Sequence, residues 1–138
     1  MKPLATKITH RFQVFPQDLN NVRTLFGGKL MAEMDLAASM LCRKLLRSSD
    51  AEGAVTKSFS KIEFDAPAHV DDLVEIEADL KMLGKSSLRI RLTATKENAD
   101  GERIRIASSS CVFVALKDEK PHPHGLRWDQ FENNTYFS

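Results

Sequence analysis

The sequence predicts an α+β domain in which one long helix lies on one face of an antiparallel sheet. Three observations carry that expectation. Apolar or small residues recur at Leu30, Met34, Ala37, Ala38, Leu41 and Leu45, the three-and-four spacing of a helix packed on a core. Val74, Ile76, Ala78, Leu80 and Met82 alternate with charged residues, and Leu88, Ile90, Leu92 and Ala94 alternate with polar ones. The chain order is one strand, one helix, then four strands in succession. That order suits antiparallel pairing.

The first strand is expected across Ile8, His10, Phe12 and Val14, ending at Pro16. A polar loop follows from Gln17 to Arg23, containing Asp18, Asn20 and Asn21. The helix should run from about Gly28 to Leu46, with Arg43, Lys44 and Arg47 suiting the negative end of its dipole. Ser48 to Gly53 ends it. A second strand is expected over Val55, Lys57 and Phe59, reaching Phe64 before the Pro67 turn. The third strand carries Val74 to Met82, Gly84-Lys85 turns the chain, and the fourth carries Leu88 to Ala94. The Asn98–Gly101 turn leads into a fifth strand, Ile104 to Leu116. Acidic Glu75, Glu77 and Asp79 on one hairpin arm should pair across strands with basic Arg89 and Arg91 on the next. Beyond Lys117 the chain has no period and reads as a loose tail. The expected division is therefore a single domain over 1–120 and a C-terminal tail over 121–138. A single sheet wrapped on one helix leaves a face and edges to cover, and self-association covers them most simply.

At 138 residues the chain is large enough for a real core and small enough for one domain. Twenty basic against nineteen acidic side chains give no global field to draw nucleic acid. Cys42 and Cys111 have no CxxC partner and fall mid-helix and mid-strand, as reduced core thiols do. The first ten residues lack the apolar stretch of a signal peptide, and no apolar run approaches membrane-spanning length. A cytoplasmic protein is expected.

One acid interrupts the helix stripe. Asp35 has Met31, Ala38 and Cys42 as its i−4, i+3 and i+7 neighbours, so it looks toward the apolar face. A carboxylate there costs free energy unless it is paired or used. Gly27-Gly28 leave the amides of the helix start open to close approach, at the end that carries partial positive charge. An acid and an amide-lined anion site are parts for attacking a carbonyl. Gly28 and Asp35 are seven residues apart, about 10 Å along a helix axis. One helix cannot bring both within about 3 Å of one carbonyl carbon. The acid must work with amides of a second helix, or through water.

The residues Pro16-Gln-Asp-Leu-Asn20, Thr24-Leu-Phe-Gly-Gly28, Met31 and Met34-Asp35 resemble the motif of the hotdog-fold acyl-CoA thioesterases. Within them, the bacterial cytosolic and brain-type acyl-CoA hydrolases are the nearest in pattern. The likeness continues through Phe64-Asp-Ala-Pro67, Asp72-Leu-Val74, Gly84-Lys-Ser-Ser87 and Ala107 to Ala115, covering about residues 10 to 120. It implies a hotdog fold, with the sheet wrapped around one long central helix, and hydrolysis of an acyl-CoA to free acid and CoA. It implies Asp35 as general base or nucleophile, Asn20 positioning water or substrate, and Gly27 and Gly28 supplying amides to the carbonyl. Gly84, Lys85, Ser86 and Ser87 fall where the family contacts CoA. No cofactor or metal is implied, since coenzyme A arrives as part of the substrate. Neither nucleic acid nor membrane is an expected partner. The expected assembly is a homo-oligomer, a hexamer built as a trimer of dimers, with sites at subunit interfaces.

Three residues depart from the family pattern. Arg23 and Asp71 stand where glycine is usual, and Ser60 where an acid is frequent. Fold alone does not fix activity. A hotdog module that binds acyl-CoA without turnover would keep the same pocket, and differs by having no use for Asp35. His69 as a dehydratase base, a metal at His122 and His124, and nucleic-acid binding through Arg89, Arg91, Arg103 and Arg105 are weaker alternatives.

Overall fold

A computed structural model describes residues 3–98 and 100–137. Met1 and Lys2 of the N-terminal stretch, Ala99 of the Asn98–Gly101 turn and Ser138 of the tail lie outside the described residues. One helix, α1 (Gly27–Leu45), is held in the curl of a single eight-stranded sheet. The strands are β1 (Leu4–Gln13), β2 (Gly53–Phe59), β3 (Glu63–Phe64), β4 (Leu73–Leu83), β5 (Ser87–Glu97), β6 (Arg103–Lys117), β7 (Lys120–Pro121) and β8 (Phe131–Tyr136). Their order is β2-β6-β5-β4-β1-β8, with β3 and β7 also pairing with β6.

The helix forms where the apolar spacing put it, one residue earlier at each end. Its buried residues are Leu30, Met34, Ala37, Ala38, Leu41, Cys42 and Leu45. They pack on the inward residues of β4, β5 and β6, among them Val74, Ile76, Leu88, Ile90, Leu92 and Phe113. Each large side chain so buried contributes about 1.5–3 kcal/mol. The small pair Ala37-Ala38 lets the helix axis approach the sheet.

Four expectations need correction. The Val55–Phe64 strand is two, because the pairing of β2 with β6 shifts between Thr56 and Ser58, and the chain re-joins β6 only at Glu63. Met82 does not continue the inward row. A register shift after Leu80 sets Met82 opposite Arg89 and turns it outward, with 59% of its surface exposed. The hairpin charges do not pair as a ladder. Asp79 stands opposite Arg91 in register, but its close cation is Lys81 at 2.7 Å, while Glu75 takes Arg11 and Arg103, each at 2.9 Å. The fourth concerns the tail.

The segment after Lys117 is not loose. It turns through Asp118 and Glu119, both at positive φ, adds β7 to β6, and returns to lay β8 parallel to β1. Phe131 and Phe137 pack against the core, and the Tyr136 hydroxyl donates to Glu77 on β4. Aperiodic sequence hid the docking of β8 because its contacts with β1 and β4 are made to residues over 50 positions away, which local pattern cannot register.

Candidate active site

The helix start is built by its own loop. The Asn20 side-chain oxygen accepts from the Val22 and Thr24 amides at 3.0 and 3.1 Å, and its Nδ2 donates to Thr24 Oγ1 at 2.9 Å. Asn20 is thereby spent largely on shaping this turn, which Arg23 crosses at φ 67°. The Leu25 amide then donates to the Ala68 carbonyl and the Phe26 amide to the Asp18 carbonyl, each at 2.8 Å. No side chain caps α1, so its first amides, those of Gly27 and Gly28, have neither an intrahelical acceptor nor a side-chain one. A cleft of about 410 Å³ opens here, lined by Asn20, Thr24, Gly27, Leu30, Phe64 and Pro67.

Asp35 sits two turns further along, half-buried at the border between the stripe and the open face. Its carboxylate accepts a 2.5 Å hydrogen bond from the Thr56 hydroxyl on β2. Thr56 in turn lines a second cleft, of about 530 Å³, with Val55, Lys85, Ser86, Ser87 and Val114. The turn at Gly84–Ser87 is tight. The Gly84 amide donates to the Ser87 carbonyl at 2.9 Å, and a side chain at Gly84 would run into the Ser87 hydroxyl. The Ala115 amide of β6 holds the Ser86 carbonyl at 2.7 Å.

The ionisable groups around Asp35 are engaged or protonated. Burial pushes both cysteine thiols up, Cys111 to about 12 and Cys42 further, and the Asp35 charge adds to each rise. Both thiols therefore stay protonated and are poor nucleophiles. On the other flank, Glu33 accepts from His10 at 2.5 Å and Lys29 at 3.0 Å, tying β1 to the helix. Burial alone would raise the Glu33 carboxyl, but the hydrogen bonds from His10 and Lys29 outweigh it and hold it below the usual range.

Within one chain, the expected residues fall into two sets. Asn20 and Gly27 line the first cleft; Lys85, Ser86 and Ser87 line the second, along with the residue that holds Asp35. Thr56 carried no sequence signal, because its partner lies 21 positions away on another element. Several of the alternative residues are engaged elsewhere. The His69 amide and Asp72 close the turn before β4, His122 meets Asp50, and Arg103 and Arg105 are bound to Glu75 and Asp65. Among the described residues no group of three or more His, Cys, Asp or Glu is placed to hold a metal ion, and no helix is long and apolar enough to cross a membrane.

The family description "Thioesterase superfamily" matches residues 23–101, from the turn before α1 to the turn after β5. The chain belongs to the thioesterase superfamily. This superfamily member is 37% identical over 120 residues to YkhA of Bacillus subtilis, named an uncharacterized acyl-CoA thioester hydrolase, covering 86% of this chain and 67% of that one. Its fold is similar to an acyl-CoA hydrolase from Staphylococcus aureus solved with butyryl-CoA and CoA, at TM-score 0.78 and 30% identity, covering 87% and 74% of the two chains. It is also similar to a hexameric acyl-CoA thioesterase, at TM-score 0.79 and 26% identity, covering 89% and 80%. The hotdog fold is thus the fold of this chain.

Proposed function

We propose that the protein hydrolyses acyl-CoA thioesters to free acid and CoA, with Asp35 as general base or nucleophile. The observation that carries the reading is the Asp35 carboxylate, half-buried, oriented by Thr56 and next to the cleft formed by Lys85, Ser86 and Ser87. As a base, the carboxylate takes a proton from water while the water oxygen bonds to the thioester carbon. The carbonyl electrons move onto oxygen, where the Gly27 and Gly28 amides at a helix start receive them. Collapse breaks the C–S bond, and the proton passes to the departing sulfur. As a nucleophile, the same oxygen bonds directly to the carbon and the C–S bond breaks to release the CoA thiolate; water then cleaves the resulting anhydride to the free acid and the restored Asp35 carboxylate, a proton of that water passing to the thiolate. A thioester is already activated, so neither route needs a further nucleophile or a metal.

The amides near Asp35 come from a second copy of the chain in this reading. Met31 and Leu36 on α1, Phe26 just before it and Val55 on the edge strand β2 are exposed apolar residues that a second copy would cover. The hexameric relative supports a homo-oligomer, with the trimer of dimers as the expected form. Variants of the Staphylococcus aureus acyl-CoA hydrolase were solved with an aspartate and an asparagine each changed to alanine. Those two positions are fifteen apart, the separation of Asn20 and Asp35 here. The setting proposed is the cytoplasm.

The test is thiol release from short- to long-chain acyl-CoAs by wild type and by Asp35→Asn. Loss of turnover by about 10²–10⁴-fold, with CoA binding within a few-fold, is the expected result. Binding without turnover in wild type would instead make the protein an acyl-CoA-binding module.

A further inference from the structure

His124 makes contacts that the proposed chemistry does not use. It lies in an aperiodic Pro-His-Pro-His stretch, yet only 4% of its surface is exposed. Its backbone amide donates to the Lys85 carbonyl at 3.1 Å, and its Nε2 lies 3.2 Å from the Ser87 carbonyl. The Leu126 amide donates to Nδ1 at 3.0 Å. With Nδ1 accepting, the ring proton belongs on Nε2, which therefore donates to Ser87. The His124 carbonyl accepts from Ser49 Oγ at 2.8 Å, just past the end of α1. With the Ala115 amide on Ser86, three successive carbonyls of the turn are held from outside it, two of them by this one residue.

We propose that His124 is a positioning residue, latching the Gly84–Ser87 turn to the end of the helix and fixing the shape of the CoA cleft. The proposal rests on the reading of that turn as the CoA-binding one. A neutral imidazole suits the task, since it offers one donor and one acceptor and both are used. Removing it leaves the Ser87 carbonyl held only from within the turn, by the Gly84 amide, and frees the Leu126 amide, letting the turn drift as a unit without touching Asp35 or Thr56. His124 also forms part of the wall of a cavity of about 410 Å³ with Leu45, Ser48, Leu126 and Gln130. Truncation enlarges an existing space, so the domain should still fold.

The experiment compares wild type with His124→Ala and His124→Gln, measuring free-CoA affinity by calorimetry and acyl-CoA kinetics. His124→Ala should weaken CoA binding and raise KM about tenfold, with kcat within about twofold, as loss of two hydrogen bonds that act on binding requires. His124→Gln, whose side-chain amide can still donate to Ser87, should recover most of that loss. If His124→Ala does not fold, Ser49→Ala loosens the strap from outside the turn and should weaken CoA binding about threefold. The proposal is overturned if CoA affinity is unchanged in His124→Ala, if kcat falls with KM unchanged, or if His124→Gln is as impaired as His124→Ala. Wild type that binds CoA without hydrolysing it sinks the thioesterase reading alone and leaves the latch to be judged by affinity. Wild type that binds no CoA overturns both.

Discussion

The two clefts beside the helix are built in opposite ways. The one at the helix start has one locally built wall: Asn20 binds Val22 and Thr24, and the Phe26 amide binds Asp18, all within nine residues, while Phe64 to Ala68 and Ile106 close the other side. The one beside Asp35 is assembled from far along the chain. Thr56 comes from β2, the Gly84–Ser87 turn from the β4–β5 hairpin, and its anchors from Ala115 and His124. Local hydrogen bonds specify a shape that survives changes elsewhere, whereas the second cleft depends on the whole sheet being in register. Under the proposed chemistry the difference suits a division of labour, with the cleft at the helix start presenting amides and the assembled one holding the acid and the CoA.

The sharpest test of that division removes one amide and nothing else. Phe26 is extended before the helix, at φ −64° and ψ 128°, the conformation that a following proline requires. Gly27 is the first helical residue, where proline is tolerated because its amide has no intrahelical role. Gly27→Pro should therefore fold with its melting point nearly unchanged and lose about 10²–10³-fold in kcat. Mixing it with Asp35→Asn, each inactive alone, should restore roughly a quarter of wild-type activity if acid and amides come from different copies, since half the dimers are mixed and one of their two sites is intact. No recovery on mixing would place both groups in one subunit.

Thr56 tests the other cleft. Its hydroxyl fixes one carboxylate oxygen of Asp35, a charge-assisted bond. Thr56→Val should lower kcat about tenfold with KM little changed, and Thr56→Ser should keep most activity. A raised KM in Thr56→Val, at constant kcat, would make Thr56 a substrate contact rather than a support for the acid.

Much of the local half was legible. The stripe from Leu30 to Leu45 marked the helix to within a residue, and Asp35 stood out as a charge against it. The alternation at β4 and β5 placed the sheet's inner face, until the bulge after Leu80 reversed Met82. Bulges follow from how two strands fit, so one strand's sequence does not announce them. Thr56, His124 and β8 went unread for the same reason. Each owes its place to a partner at least 21 positions away.

The docking of that unread segment can be followed directly, because the chain has one tyrosine, Tyr136. Its hydrogen bond to Glu77, with burial next, raises the phenol from 10.0 to about 12. A folded pKa above the unfolded value means the stabilisation is complete below about pH 10 and is lost as the pH rises through about 12. Ultraviolet titration should give a midpoint near 12 in wild type and a clearly lower one in Glu77→Gln, where burial, Glu75 and Asp79 still raise it. A normal midpoint in wild type would mean that β8 does not dock on β1.

The smallest effect returns to the local cleft. Arg23 and Asp71 replace glycines of the resembling family, yet both adopt the left-handed backbone that glycine favours, at φ 67° and 72°. What holds it is hydrogen bonding: the Arg23 amide donates to the Asn20 carbonyl at 3.1 Å, and the Asp71 amide to the Val14 carbonyl at 2.8 Å. Arg23→Gly should relieve about 1–2 kcal/mol of strain. It gives back about 0.5–1 kcal/mol in chain entropy. A net gain of about 0.5–1 kcal/mol raises the melting point by about 1–4 °C in a chain of this size. Activity should be unchanged, because the backbone already takes the path that glycine would give it. A change in kcat would mean instead that the Arg23 side chain re-aims the Asn20 loop, and that the local cleft is less self-contained than its hydrogen bonds imply.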